Sequence, residues 1–171
     1  KAGETSYEYL YATGVKTGDT NYAGRCLAAS AKKNGVELIL ILFGDEGSNT
    51  RFQSAAKLFD WGFENYMTLD VATLGLENTL EAAVANADAS DAENGLLTLT
   101  IDFTGATISA LRSTIEAIQQ DPSLLTATKA IDKLEAPIEA GAQGGMVSYQ
   151  YGGTTLFTAP VYASRAVFAA T

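Results

Sequence analysis

Histidine is absent from this chain, and cysteine occurs once, at Cys26. These two absences exclude a disulfide framework, any zinc site that uses histidine, and a Ser-His-Asp triad within the chain. Any catalytic chemistry that these residues take part in must therefore work without a histidine base.

Positive charge is also scarce. The chain has 11 Lys and Arg against 20 Asp and Glu, for a net charge of -9. The first 66 residues carry a net charge of -1 and the rest of the chain carries -8. Because an acidic surface repels phosphate backbones, we expect no nucleic-acid partner.

Long apolar runs are missing as well. The longest, Leu38 to Phe43, has the length of a strand and not of a membrane-spanning segment. Hydrophobic residues still make up 47% of the sequence and charged residues 18%, which is typical of a globular protein. A chain of 171 residues can bury one good core or two small ones.

The first part of the chain predicts an antiparallel meander. Residues 7–18 have the pattern of a strand, and Asp19-Thr20-Asn21 has the composition of a turn. Residues 25–33 predict a second strand, although their alanines would suit a helix equally well. Asn34-Gly35 is a strong hairpin signal, and residues 36–43 predict a buried third strand.

A helix is predicted to follow this meander, from Arg51 to Tyr66. Its apolar positions are 52, 55, 56, 59 and 63, which form one stripe at helical spacing. Residues 45–49 supply candidate N-cap side chains, and Trp61-Gly62-Phe63 would anchor the end of the helix. We expect this helix to lie on one face of the sheet.

Composition changes near Met67, and the remainder predicts a β-rich module. Asn94-Gly95 marks a turn, residues 96–103 a strand, and residues 108–120 a helix, with glycine-separated strands between residues 136 and 163. The fold class expected is therefore α+β, with domains at residues 1–66 and 67–171. Tyr149, Tyr151, Phe157 and Tyr162 are interpreted as core or cross-strand pairs, with a sugar-binding platform as the alternative.

The most informative motif is Lys16-Thr17-Gly18, at the end of the first predicted strand. A cation, a hydroxyl and then a residue without a side chain can receive an anionic substrate against bare backbone. The tripeptide alone is a weak signal, and its surroundings strengthen it: a hairpin follows, and the later helix begins with Arg51.

In this context the sequence resembles the serine-type D-alanyl-D-alanine carboxypeptidases, which are low-molecular-mass penicillin-binding proteins. The resemblance rests on residues 12–20, Ala23-Gly24-Arg25-Cys26-Leu27 and Leu58-Phe59-Asp60-Trp61-Gly62-Phe63, and it covers about residues 7–66. A weaker similarity, over 134–145 and 154–162, is to the β-rich C-terminal domain of the same family. Residues 72–130 have no firm counterpart.

The resemblance implies roles for five residues. Lys16 would set the electrostatics around the catalytic serines and the substrate carboxylate, which the Thr17 hydroxyl would bind. Gly18 would keep the strand clear so that the substrate can pair with its backbone. The Asp19 amide would form half of the oxyanion hole, and Arg51 would help hold the carboxylate. No metal or cofactor is implied.

The family's nucleophile, in a Ser-x-x-Lys motif far upstream of the tripeptide, has no counterpart here, because only fifteen residues precede Lys16. The pairs Ser30–Lys33 and Ser54–Lys57 both follow it, and we interpret them as structural. We therefore predict a C-terminal fragment whose peptidase domain lacks its N-terminal part. Such a fragment should be inactive alone, and the sheet in residues 1–66 should keep an uncovered apolar surface.

The implied full-length function is removal of D-alanine from peptidoglycan stem peptides that end in D-Ala-D-Ala, through an acyl-serine intermediate, with β-lactams as inhibitors. Such an enzyme acts outside the cytoplasmic membrane, and the resemblance also allows a membrane anchor beyond residue 171. Two alternatives stay open: a β-lactamase relative, which would share the tripeptide strand, and a non-catalytic β-rich module of the cell envelope.

Overall fold

The computed structural model describes residues 8–47 and 49–170, and it has the α+β architecture expected. The chain divides into two compact units. The first unit consists of the chain up to Thr68 together with Ser109–Ile115. The second unit consists of Leu69–Ile108 and the chain from Glu116 onward. The elements follow one another as β1 (Ala12–Thr20), β2 (Gly24–Lys33), β3 (Val36–Asp45), α1 (Thr50–Asn65), β4 (Tyr66–Asp70), β5 (Thr79–Ala83), β6 (Leu96–Ile101), β7 (Thr107–Leu111), α2 (Arg112–Gln120), β8 (Thr126–Ile131), β9 (Gln143–Tyr151) and β10 (Thr154–Ala163).

The sheet of the first unit is the predicted meander. It has the order β1-β2-β3, and both pairings are antiparallel. Residues 25–33, which could have formed a helix or a strand, lie in β2. Asn34 and Gly35 join β2 to β3 with φ values of 50° and 82°, the left-handed backbone that a tight hairpin requires.

The boundaries of β1 differ from those predicted. Tyr7, where the predicted strand starts, lies outside the described residues, and β1 begins only at Ala12. The predicted turn at residues 19–21 lies two residues too early, because Asp19 pairs with Arg25 and Thr20 pairs with Gly24. The turn is instead formed by residues 21–23, which the Thr20 hydroxyl stabilises by accepting a hydrogen bond from the Ala23 amide, at 3.0 Å.

The third strand was predicted to be buried, but only one of its two faces is. Side chains alternate between the two faces of a strand, and in β3 the face that includes Val36 lies toward the core. On the other face Ile39, Ile41 and Phe43 are 81%, 59% and 78% exposed. Within the described residues, that face of the sheet therefore has no layer over it.

Helix α1 covers the opposite face of the sheet and completes the core of the first unit. Its predicted apolar stripe is confirmed, with Ala55, Phe59 and Phe63 buried beside Leu27 of β2 and Val36 of β3. Two details of the prediction are wrong. Asn49 makes no side-chain cap, and Trp61 is 56% exposed, so the anchors of the helix are its phenylalanines.

The second unit is built on a five-stranded antiparallel sheet with the order β5-β6-β10-β9-β8. Strand β6 alternates strictly, with Leu97, Leu99 and Ile101 buried. The glycine-separated strands β9 and β10 are confirmed. Tyr149 and Phe157 stack across them with ring centroids 4.6 Å apart, in agreement with their interpretation as a core pair.

The predicted helix over residues 108–120 is half correct. Helix α2 begins only at Arg112, and residues 107–111 form strand β7, which pairs with β4. The exposure of residues 107–109 alternates, with buried Ile108 between exposed neighbours, so a period of two prevails over the helical spacing there.

A bidentate ion pair links the segment that follows β10 to the loop that precedes β6. Arg165 Nη1 and Nη2 donate to Asp91 Oδ1 and Oδ2 at 2.7 and 2.9 Å, and Nη2 also donates to the Leu96 carbonyl. The Arg165 hydrogen bonds, with help from the Gly95 amide, lower the pKa of Asp91 to about 2.

We expect Asp91→Asn to lower the thermal midpoint of unfolding at neutral pH and to matter less in acid. The folded pKa lies below the unfolded value of 3.8, so the carboxylate stabilises the fold above that value. This contribution is lost as the pH falls toward about 2. Thermal unfolding of both proteins between pH 7 and pH 2 would test this, with exposed Glu116→Gln as the control. A pH-independent difference between Asp91→Asn and the parent would contradict it.

Candidate active site

The tripeptide Lys16-Thr17-Gly18 lies in β1, at the edge of the first unit's sheet. Within the described residues β1 pairs on one side only, with β2. An edge strand exposes a row of backbone donors and acceptors that an extended peptide can pair with. The strand therefore offers the backbone edge that the resemblance requires.

Lys16 and Thr17 project from opposite faces of the sheet. Thr17 pairs with Leu27, which is 2% exposed in the core under α1. Lys16 pairs with Ala28, which in turn pairs with Ile41 on the uncovered face. The lysine therefore shares its face with the exposed apolar side chains of β3, and the threonine shares its face with the helix.

The fold itself does not require a glycine at position 18. A Cβ atom built there would lie 3.8 Å from the Cβ of Cys26, an ordinary van der Waals contact. Because glycine has no side chain, it nevertheless leaves room for a ligand to lie against that part of the edge strand.

Helix α1 brings Arg51 to the same strand. Its Nη1 atom donates to the Gly18 carbonyl at 3.4 Å, and its guanidinium lies 5.1 Å from the centre of the Phe52 ring. Within the described residues, no carboxylate lies within ion-pair distance of Arg51 or of Lys16. Both cations are therefore available to an anionic ligand.

The loop before α1 is held by Asp45. Its carboxylate accepts hydrogen bonds from the Thr50 hydroxyl and from the Gly47 amide, the latter at 3.0 Å. These hydrogen bonds, that of Thr50 first, lower the pKa of Asp45. The anchored loop fixes where the helix starts, and so it fixes the position of Arg51.

Sequence reasoning assigned Arg25 no role in this region. Its Nε atom lies 3.5 Å from the Asp19 carboxylate, and its Nη1 atom donates to the Glu46 carbonyl. Arg25 thus links the end of the tripeptide strand to the loop that precedes α1. The available signal was the pair of opposite charges on either side of a short turn.

The two serine–lysine pairs in the chain do not form nucleophile sites. The Ser30 hydroxyl lies 2.8 Å from the Thr13 hydroxyl, whereas Lys33 Nζ lies 4.6 Å from the centre of the Tyr11 ring. Ser54 and Lys57 lie on α1, with no hydrogen bond between them. In the described structure, neither pair therefore brings its lysine to its serine as a nucleophile site would require.

Two family profiles match the sequence. The first, described as D-alanyl-D-alanine carboxypeptidase, matches residues 2–47, and the second, described as Penicillin-binding protein 5, C-terminal domain, matches residues 114–168. The tripeptide strand falls in the first match, and most of the second unit's sheet falls in the second.

Curated proteins and solved structures agree with these profiles. D-alanyl-D-alanine carboxypeptidase DacF of Bacillus subtilis is 29% identical over 89% of this chain and 36% of its own length, and DacA of Haemophilus influenzae is 30% identical over 85% and 34%. The crystal structure of DacD from Francisella tularensis covers 95% of this chain and 38% of its own, with 25% identity and a TM-score of 0.58.

The fold is α+β and is similar to that of solved carboxypeptidases of the penicillin-binding-protein type. The profile matches, the curated relatives and the solved structures support a partial D-alanyl-D-alanine carboxypeptidase. The chain spans about a third of the length of the curated relatives that it matches over most of its own length.

Proposed function

We propose that this chain forms one wall of the active site of a serine D-alanyl-D-alanine carboxypeptidase, whose nucleophile lies in a part of the protein outside these residues. The full enzyme removes the terminal D-alanine of a peptidoglycan stem peptide through an acyl-serine intermediate. β-Lactams inhibit it by acylating the same serine. The chain alone does not hydrolyse the substrate.

Each residue of the wall has a chemical role in this proposal. The substrate extends along the free edge of β1, opposite Gly18, where its backbone can pair with the strand. The Thr17 hydroxyl and the Arg51 guanidinium bind its terminal carboxylate, since a charged partner strengthens each hydrogen bond. The Asp19 amide donates to the oxyanion of the tetrahedral intermediate.

The observation that carries the proposal is the 3.4 Å contact from Arg51 to the Gly18 carbonyl. It joins two positions that are 33 residues apart in the sequence: Gly18, beside which the resemblance places the substrate backbone, and Arg51, to which it assigns the substrate carboxylate. The Arg51 guanidinium is thus held against the tripeptide strand and does not extend freely into solvent.

The uncovered face of the sheet supports a nucleophile from elsewhere. Lys16 shares that face with Ile39, Ile41 and Phe43. Apolar surface of this kind marks an interaction site. In our proposal the rest of the peptidase domain covers this face and places the Ser-x-x-Lys motif beside Lys16, so that residues 1–66 complete that domain and residues 67–171 form the β-rich domain.

The proposed reaction takes place in the cell envelope, outside the cytoplasmic membrane, where peptidoglycan lies. Neither described helix is long and apolar enough to cross a membrane. The profile match at residues 114–168 favours a carboxypeptidase over a β-lactamase relative, because it is the match to a penicillin-binding protein's C-terminal domain.

Labelling with a fluorescent penicillin tests this proposal. We expect the longer protein that contains this sequence and a Ser-x-x-Lys motif upstream to be labelled covalently. The 171-residue chain should remain unlabelled at the same concentration, while circular dichroism shows that it is folded. Labelling of the folded chain, or failure of the folded longer protein to react, would contradict the proposal.

A further inference from the structure

The second unit contains a cavity that has no role in the proposed peptidase chemistry. Its volume is about 510 Å³, within the range of about 300–1,000 Å³ that is common for ligand sites. We call it the Asp102 cavity. The residues that line it and carry polar or aromatic side chains are Asp70, Asn78, Thr100, Asp102, Phe103 and Tyr162.

The cavity lies on the solvent-facing side of the five-stranded sheet. Thr100 of β6 pairs with Thr79 of β5 on one side and with Tyr162 of β10 on the other. The next residues along, Leu99 and Val161, point into the core. The floor of the cavity is therefore formed by the hydroxyl-bearing side chains of Thr100 and Tyr162 on two hydrogen-bonded strands, a rigid base for a ligand.

Polar groups around the floor retain hydrogen-bonding capacity. Asp70 accepts the Ala72 amide at 3.0 Å, and Asp102 accepts a hydrogen bond from the Thr104 side chain and the Thr104 amide at 2.9 Å, which together lower the pKa of Asp102. A carboxylate has about four lone-pair sites, so each retains capacity for a ligand. The Asn78 amide and the Tyr162 hydroxyl make no side-chain hydrogen bond within the described part of the chain. Donors and acceptors are thus both present, and the two carboxylates are held in place by their loops.

An apolar surface accompanies these polar groups. Phe103 lines the cavity, but its ring packs edge-on against the core residues Tyr149 and Phe157, with ring centroids 5.8 and 6.3 Å away. The aromatic ring on the cavity's side of the sheet is that of Tyr162. Tyr162 is half-buried. A ligand in the cavity therefore meets aromatic carbon as well as hydroxyl, amide and carboxylate groups.

The charge of the lining limits the class of ligand. It contains two carboxylates and neither Lys nor Arg, so it disfavours phosphates and other anions. Within residues 8–47 and 49–170 no group of three or more His, Cys, Asp or Glu side chains is placed to hold a metal ion. A neutral ligand with several hydroxyl groups and apolar ring faces fits both facts.

We propose that the Asp102 cavity binds a neutral saccharide. The carboxylates accept hydrogen bonds from ring hydroxyls, Asn78 and the hydroxyl side chains both donate and accept, and the Tyr162 ring contacts the apolar face of the sugar. All residues that line the cavity belong to the second unit, and none of them belongs to the proposed peptidase wall.

The test is an NMR titration of the ¹⁵N-labelled chain with two neutral probes, chitotriose and cellotriose. We expect saturable amide shifts from at least one of them, confined to residues 70–72, 78 and 100–105 and to Tyr162. Tyr162→Ala and Asp102→Asn should each weaken binding about tenfold, the loss of roughly one ring contact or one charged hydrogen bond.

Matched variants control for loss of structure. Tyr151→Ala removes a half-buried tyrosine of the same sheet outside the cavity. Asp121→Asn alters a carboxylate that, like Asp102, accepts an amide two residues on, from Ser123 at 3.1 Å. Both should bind like the parent chain. The proposal is overturned if neither probe gives saturable shifts, if the control variants weaken binding equally, or if calcium chloride alone produces the same shifts.

Discussion

Lys16→Ala in the longer protein is expected to slow acylation by a fluorescent penicillin about a hundredfold or more. The lysine lies on the face of the sheet where we place the nucleophile, and within the described residues no carboxylate neutralises it. Removing a preorganised electrostatic group from an active site typically costs about 10²–10³ in rate. The effect is measured as the rate constant of labelling, from reactions that are quenched at successive times and quantified by in-gel fluorescence.

The matched control is Lys57→Ala, which removes an exposed lysine from α1 and should label at the parent rate. Lys16 is itself exposed on an edge strand, so both variants should keep the parent's thermal midpoint. Labelling of Lys16→Ala at the parent rate would contradict the role assigned to this residue. Equal slowing in both variants would mean a general charge effect and would also contradict it.

Gly145→Ala is expected to destabilise the second unit by about 3 kcal/mol or more. Gly145 begins the pairing of β9 with β8 and has a φ of 136°, where side chains are rarely tolerated. A Cβ atom there would lie 2.9 Å from the Ile131 Cα and still closer to the Ala130 carbonyl oxygen. Because both obstacles are backbone atoms of the neighbouring strand, β8 and β9 would have to separate.

Gly141→Ala separates the steric effect from the conformational one. Gly141 also has a positive φ, of 80°, but a Cβ atom there would meet nothing within 4 Å. This control should cost only about 1–2 kcal/mol, the penalty for a left-handed residue. Urea unfolding of the two variants measures the difference, and equal destabilisation would show that the contact with β8 is not the cause.

Much of the first unit could be predicted from local signals. Asn34-Gly35 specifies a hairpin because only such residues accept two successive positive φ angles, and the structure has them at 50° and 82°. The stripe on α1 was visible because five apolar side chains repeat at helical spacing. These features depend on residues close together in the sequence, which is why they were accessible.

Three features depend on tertiary contacts and could not be predicted from the sequence: the burial of β3, the partners of Arg25 and the existence of strand β8. The apolar run of β3 resembles a strand buried on both faces, yet only one face is covered in the described structure, and the pattern cannot show which layer is missing. Arg25 was part of the stretch that carries the resemblance, but its role was not predicted, because its partners, Asp19 and Glu46, meet it only once the strands are paired. Strand β8 was missed because none of its residues is fully buried, so it has no alternating pattern.

The candidate wall was predicted as a motif, and its geometry was not. The sequence places Lys16, Thr17 and Arg51 in one family pattern, whereas their division between the two faces of the sheet follows from the β1–β2 register. That division is what separates the carboxylate side of the proposed site from the nucleophile side. Of the residues that line the Asp102 cavity, only Tyr162 had been singled out from the sequence. The others could not be grouped from the sequence, because the lining comes from four separate segments.

The most direct test of the central claim is to map the serine that penicillin acylates. The longer protein, once labelled, would be digested and its modified peptide sequenced by mass spectrometry. We predict a single modified serine, in a Ser-x-x-Lys motif that lies outside this 171-residue sequence. Modification of Ser30, Ser54 or any other serine within these residues would contradict it.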